Sequence, residues 1–336
     1  MTESALHHAL GARRPAQRLL LGWIRELALL PAIALLVVAG TIVSPAFFTT
    51  NNFVNTAQFS AALGTVVVAE SLILLTGSFD LSLQSVYGIA PMIGAWVIVP
   101  KSAQGLGTDW SPAIGIIVVV AIGVAVGLFN GLLIVKGKFN AFIFTLAMLI
   151  LLAGLQNGLV SGRTIYQMPN SFIYLGSAYW LGVPVSAWVT GTIFLIAGLF
   201  LRYHRVGRAI YAIGGNSEAA LAAGIKVDRI RIGTFAVAGA LAALAGLMTS
   251  GQVVAVTANQ GNNLIFTVFA AAVIGGIALE GGRGRMFGAL TGVVLLGLVQ
   301  NILVLSQIQT FWIDAANGAI ILIALGLARV VGTNRA

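Results

Sequence analysis

Residues 112–135 read PAIGIIVVVAIGVAVGLFNGLLIV, an uncharged run closed by Lys136 and Lys138. As a helix it extends roughly 36 Å, enough to cross a hydrocarbon layer of about 30 Å. A half-buried strand would alternate apolar and polar residues, and a soluble amphipathic helix would keep one wet face. This run does neither. It is a membrane-spanning helix, and the rest of the chain repeats its pattern.

Further charge-free intervals run over 27–69, 81–100, 139–162, 164–201, 232–279, 286–313 and 315–328. An ionised side chain at the bilayer centre costs several kcal/mol, so such intervals mark spans. Two of them are too long for one span. The first divides at Ser44-Pro45 and the polar stretch Thr49-Thr50-Asn51-Asn52; the second divides at 257–263, TANQGNN. Helices are therefore expected near 27–44, 55–76, 83–99, 112–135, 140–160, 187–201, 232–250, 264–279, 287–304 and 314–330. The aromatic segment 162–186, with Tyr166, Phe172, Tyr174, Tyr179 and Trp180 between prolines, is expected as an interfacial loop with room for a short helix. The fold class is all-α and polytopic, with about ten transmembrane helices.

Composition agrees. Of 336 residues 59% are hydrophobic and only 8% charged, against roughly 25% charged in soluble domains. The 41 glycines suit helices packed closely in lipid. Cysteine is absent, which excludes disulfides and thiolate metal sites.

The net charge of +9 follows the topology. With ten helices and an inner N-terminus, all basic residues except Lys101 and Arg163 fall on the cytoplasmic side. The expected organisation is a cytoplasmic segment 1–26, a transmembrane domain 27–330 containing the loop 202–231, and a cytoplasmic tail 331–336. The N-terminal basic residues precede an apolar run through Val43 with no small-residue cleavage site, which predicts an uncleaved first helix. The basic balance gives no reason to invoke nucleic acid.

The long charged segment is 202–231. Within it Glu218-Ala219-Ala220-Leu221-Ala222-Ala223-Gly224 predicts a short surface helix, with Asn216 or Ser217 as N-cap, Glu218 in the first turn and glycine at the end. This wording, Glu-Ala-Ala followed by Gly224, resembles the cytoplasmic loop of ABC-transporter importer permeases. The lead-in 206–216, VGRAIYAIGGN, is similar to permeases of the ribose, xylose and arabinose type. So are 75–82 (LTGSFDLS), 127–131 (GLFNG), 272–276 (AVIGG) and 280–284 (EGGRG), in the family's order over roughly residues 30–330. Two positions depart from the family. Gln84 replaces a glycine, and Glu70 stands where a neutral polar residue or glycine is expected.

The resemblance implies a permease subunit of a binding-protein-dependent importer in a bacterial inner membrane. It also implies a second permease subunit, identical or different, a cytoplasmic ABC ATPase and an extracytoplasmic solute-binding protein. The ATPase would dock on Arg208, Gly214, Gly215, Asn216, Glu218, Ala219, Ala220 and Gly224. The chain itself has no P-loop: its one Lys-Ser pair, Lys101-Ser102, follows Pro100.

Polar residues inside the spans are the pathway candidates. Gln58, Thr65 and Thr76 share a helical stripe, which serves either a hydroxylated solute or interhelical hydrogen bonds. Glu70 lies about a third of a turn away. Its carboxyl is either a functional group or a neutral structural one, and the structural role is favoured. Asp80 and Ser82 suit helix N-capping. Thr145 and Gln156 share a face beside Asn157, and Asn130, Gln300 and Asn301 occupy other helices. For the glycine stripes Gly123, Gly127, Gly131 and Gly288, Gly292, helix contact is expected.

Catalysis has little to work with. His7, His8 and His204 lie outside the spans without metal-ligand spacing, so neither a metal, a cofactor nor an enzymatic activity is expected. Two alternatives to sugar import remain at this stage. One is an ABC permease for another small polar solute, such as a polyol, nucleoside or furanone signal. The other is a stand-alone transporter coupling protons through Glu70 or Asp80.

Overall fold

The computed structural model describes residues 29–108, 110–309 and isolated positions between 312 and 322. Twelve α-helices occur among the described residues, in the order α1 Leu30–Val43, α2 Thr50–Leu75, α3 Leu83–Ile98, α4 Pro112–Val135, α5 Ala141–Leu159, α6 Asn170–Ser177, α7 Val185–Tyr203, α8 Arg205–Gly215, α9 Ser217–Ala222, α10 Val227–Val253, α11 Leu264–Ile274 and α12 Met286–Leu305. Six of them (α2, α4, α5, α7, α10 and α12) are long and apolar enough to cross a membrane, and α1, α3 and α11 are shorter apolar helices. These nine answer to the first nine expected spans. The expected helix 314–330 lies outside the described residues apart from isolated positions, and segments 1–26 and 331–336 lie outside them altogether.

Helix α2 is the central rod. Val66–Ala69 and Ile73–Leu75 have no exposed surface, whereas α4 and α5 bury mainly one stripe each and turn Ile117, Ile143, Ile150 and Leu151 outward. An outward apolar stripe is what lipid solvates. The helices are held by close approach. Gly123 and Gly127 of α4 face the backbone of Gly239 and Phe235 on α10, and Gly288 and Gly292 of α12 face Gly275 and Ala271 around α11. Both glycine stripes thus sit where helices touch with no side chain between them.

Helix ends depart from the charge-gap expectation at several places. Thr49 does not break α2 but caps it, its hydroxyl accepting from Asn52 N at 3.3 Å, so the helix begins at Thr50 and not near 55. Helix α10 begins at Val227, and so holds Asp228, Arg229 and Arg231 in its first turns. Helix α11 stops at Ile274, before the expected 279, because Gly275 and Gly276 (φ +85°) end it. Segment 162–186 is more than a loop. Helix α6 buries Phe172, Ile173 and Gly176, and a two-residue antiparallel ribbon, β1 Tyr179–Trp180 with β2 Val183–Pro184, follows it.

Candidate functional site

The segment expected to meet a partner is two helices, α8 and α9. The glycine-rich lead-in 205–215 gave no helical expectation, yet it is α8, amphipathic and N-capped by His204, whose Nδ1 accepts from Val206 N at 3.3 Å. Its apolar face buries Ala209, Ile210 and Ile213. The Tyr211 hydroxyl donates to Gly284 O at 2.9 Å, and burial raises this phenol's pKa above its usual value.

Asn216 is the N-cap of α9, its Oδ1 accepting from Ala219 N at 2.9 Å, with Glu218 in the first turn. The helix ends in a Schellman arrangement: Gly224 N donates to Leu221 O (2.9 Å) and Ile225 N to Ala220 O (3.1 Å), with Gly224 at φ +79°. Ala220, Ile213 and Val227 form a small apolar cluster beneath it, with Ile225 packed against them. The helix is therefore anchored on its inner side, not isolated on the surface. Arg208, Gly215, Asn216, Glu218, Ala219 and Gly224 remain exposed. Gly214 is different. A side chain there would collide with Leu75 O and Gly282 N, so this residue packs inward against α2.

A buried polar cluster lies just above that contact. The Thr76–Ser82 turn leaves α2 through Gly77 (φ +73°) and places Asp80 at 0% exposure. Asp80 Oδ1 accepts from Ser82 N (2.9 Å) and Ser82 Oγ (2.6 Å), and Asn130 Nδ2 of α4 donates to Ser82 Oγ (2.7 Å) and Asp80 Oδ2 (3.4 Å). Thr145 of α5 accepts from Leu81 N at 3.1 Å, and Glu70 Oε1 accepts from Asp80 N at 3.4 Å. Three expected pathway residues far apart in sequence, Asp80, Asn130 and Thr145, thus meet at one point. The capping role expected of Ser82 is not made: it occupies the N-cap of α3, but its hydroxyl serves Asp80.

The other expected pathway residues lie elsewhere. Thr76 caps the end of α2, bonded to Ile73 O at 2.7 Å. Thr65 meets Thr190 of α7 at 2.8 Å. Near the opposite end, Gln58 donates to Gly176 O (2.5 Å) and accepts from Tyr179 (3.1 Å). Gln156 donates to the carbonyls of Thr257 and Gln260 (3.3 and 3.4 Å), while Asn157 is exposed and bonds within α5. Asn301 pairs reciprocally with Asn52 at 2.7 and 3.0 Å, and Gln300 is half-buried beside it in sequence.

Two glutamines that were not among the expected pathway residues lie toward that same opposite end. Gln260 bridges Tyr87 O, Gly246 O and Ser250. Gln84, where the resemblance implies a glycine, accepts from Ile265 N at 3.3 Å and so satisfies an amide in the first turn of α11 that has no partner within the helix. Among the described residues no His, Asp and Glu cluster could hold a metal ion.

A family described as branched-chain amino acid transport system / permease component matches residues 52–325. The ribose import permease protein RbsC of Escherichia coli (strain K12) is 32% identical over 307 residues, covering 90% of this chain and 93% of that protein. RbsC of Bacillus subtilis is 34% identical over 310 residues, 92% and 94% of the two chains. The L-arabinose transport system permease protein AraH of Escherichia coli (strain K12) is 35% identical over 313 residues, 89% of each. No solved structure matches. With a match over most of its length and helices able to cross a membrane repeatedly, the chain belongs to this family as a multi-pass ABC-transporter permease component, and it is not an enzyme.

Proposed function

We propose that this chain imports a monosaccharide across a bacterial inner membrane, using ATP hydrolysed by a partner. The names of its relatives support ribose or arabinose as the class of solute. The observation that carries the coupling role is the exposed surface of α8 and α9, capped at both ends of α9 and packed against the end of α2. A cytoplasmic ABC ATPase docks there through Arg208, Gly215, Asn216, Glu218, Ala219 and Gly224, with Ala220 and Gly214 holding the segment from beneath. A second permease subunit completes the pore, and an extracytoplasmic solute-binding protein delivers the sugar. The transmembrane domain is 27–330, with both termini cytoplasmic. Asp80, Asn130 and Thr145 fix the inner end of the translocation path, Thr65 and Thr190 its middle, and Gln58 and Gln156 its outer end.

In proteoliposomes containing the chain, its ATPase and its binding protein, uptake of ribose or arabinose should require ATP and all the components. Purified alone, the chain should bind no nucleotide. Sugar uptake by the chain alone, driven by a proton gradient, would reject this reading in favour of a secondary transporter.

The same reading sets the orientation. The chain has no cysteine, so Ser217→Cys introduces a single thiol at the head of α9. An impermeant maleimide should label it in inside-out vesicles and not in intact cells. Labelling of intact cells would reverse the topology.

A further inference from the structure

The inner end of α2 is gripped from three sides. Its last carbonyls have no acceptor role left within the helix and are the groups a helix end normally leaves free. Here Leu75 O accepts from Gly282 N at 3.1 Å, and Thr76 O accepts from Arg231 Nη2 of α10 at 3.3 Å. A cation at a helix C-terminus also meets the negative end of its dipole. The third side is α8, where Gly214 lies against Leu75 and Gly282, and Gly281 against Gly77 and Gly214.

Apart from the Arg231 guanidinium, these contacts are backbone on backbone. Side chains that separate two helices can absorb a displacement by changing rotamer, but main chain in contact cannot. Movement of α8 is therefore handed to α2 with little loss. Helix α2 then runs roughly 39 Å through the middle of the bundle. Its other half holds Gln58, bonded to Gly176 O in α6 and to Tyr179 in β1. One rigid rod thus connects the proposed docking segment with the α6–β1 segment at the opposite end.

We propose that α2 is the relay between the ATPase and the α6–β1 segment at its other end, and that Arg231 is the positioning residue that pins its receiving end. Arg231 acts without touching nucleotide, ATPase or solute. The half-buried guanidinium reaches across from the first turns of α10 to bond Thr76 O, and so ties the two helices together at this point.

This inference rests on the ATP-driven reading above, and one experiment separates the two. In the reconstituted complex with ATPase and binding protein, solute moved and ATP hydrolysed are measured together for the wild type, Arg231→Met and Arg231→Lys. Wild-type uptake independent of ATP would defeat the ATP-driven reading itself. Given ATP-dependent wild-type uptake, Arg231→Met should retain its ATPase and hydrolysis while the solute moved per ATP falls about tenfold. Arg231→Lys, which keeps a cation at the helix end, should recover most of the loss. A ratio within twofold of wild type for Arg231→Met overturns the proposal, as does loss of the ATPase from the complex. Should Arg231→Met fail to accumulate, Tyr211→Phe decides. It removes only the hydroxyl joining α8 to Gly284 O, and a lower ratio with the ATPase still bound supports the relay, whereas an unchanged one overturns it.

Discussion

Gly239→Leu should remove most of the folded protein from the membrane, and the fraction extracted in detergent should melt far below the wild type. Helices α4 and α10 cross at this residue. The side chain would meet Gly123 backbone at its Cβ, with Gly123 C at 3.0 Å and Gly127 Cα at 3.2 Å. Overpacking where neighbours can rotate away costs about 1–3 kcal/mol. Here the neighbours are main chain and nothing can rotate. The two helices must separate, which also opens the contacts of Gly127 with Phe235 and of Gly131 with Ile232. About 3 kcal/mol is then a lower bound, a large share of the roughly 5–15 kcal/mol that holds a protein folded. Gly154→Leu is the matched control, because nothing lies within 4 Å of a side chain there. It should leave abundance and melting unchanged. If Gly239→Leu melts with the control, the α4–α10 crossing is not as close as described.

The spans were legible because their cause is local. A bilayer tolerates few charges, so the gaps between charged residues mark nine helices now seen, and the glycine spacing on α4 and α12 marks the faces that touch. Their ends were less legible, since a charge gap does not register how a helix stops. Thr49 reads as a breaker by composition but caps α2 by geometry. Arg229 and Arg231 looked like loop residues, yet α10 carries them in its first turns. Helix α8 was hidden by Gly207, Gly214 and Gly215, which argue for turns; two of these glycines are required by close packing instead.

The site divides in the same way. Asn216, Glu218 and Gly224 could be placed from their order alone, because a capped short helix writes its start and stop into adjacent residues. The union of Asp80, Ser82, Asn130 and Thr145 could not. It joins the α2–α3 turn to α4 and α5 across 50 and 64 residues of chain, and no local pattern encodes such a meeting. Gln84 shows the limit from the other side. A glutamine in place of an expected glycine stands out in the sequence, but its use, receiving the Ile265 amide, needs α11 beside α3.

Gly224→Asp and Glu218→Ala should both yield a stable membrane protein whose transport falls by roughly thirtyfold. The structural costs are small. Glu218 is exposed in the first turn of α9, so losing its carboxylate removes about 0.3–1 kcal/mol of dipole interaction. Gly224 sits at φ +79° with open space around it. A side chain there costs about 1–2 kcal/mol for the left-handed backbone, and aspartate tolerates that region better than most residues. Neither residue is in the spans, and the Ile213–Ala220–Val227 cluster under the segment is untouched. Docking should suffer more. A partner fitted to this short helix loses a charged contact in one variant and meets a new anion in the other. For a residue central to an interface about 2 kcal/mol is at stake, roughly a thirtyfold weaker association. The expected result is wild-type abundance and melting, with uptake reduced by about that factor and the ATPase no longer co-purifying in stoichiometric amount. Gly224→Ala discriminates the cause, because it carries the backbone cost without the charge and should retain most uptake. If Gly224→Asp and Glu218→Ala both sustain wild-type uptake, α9 is not where the ATPase is received.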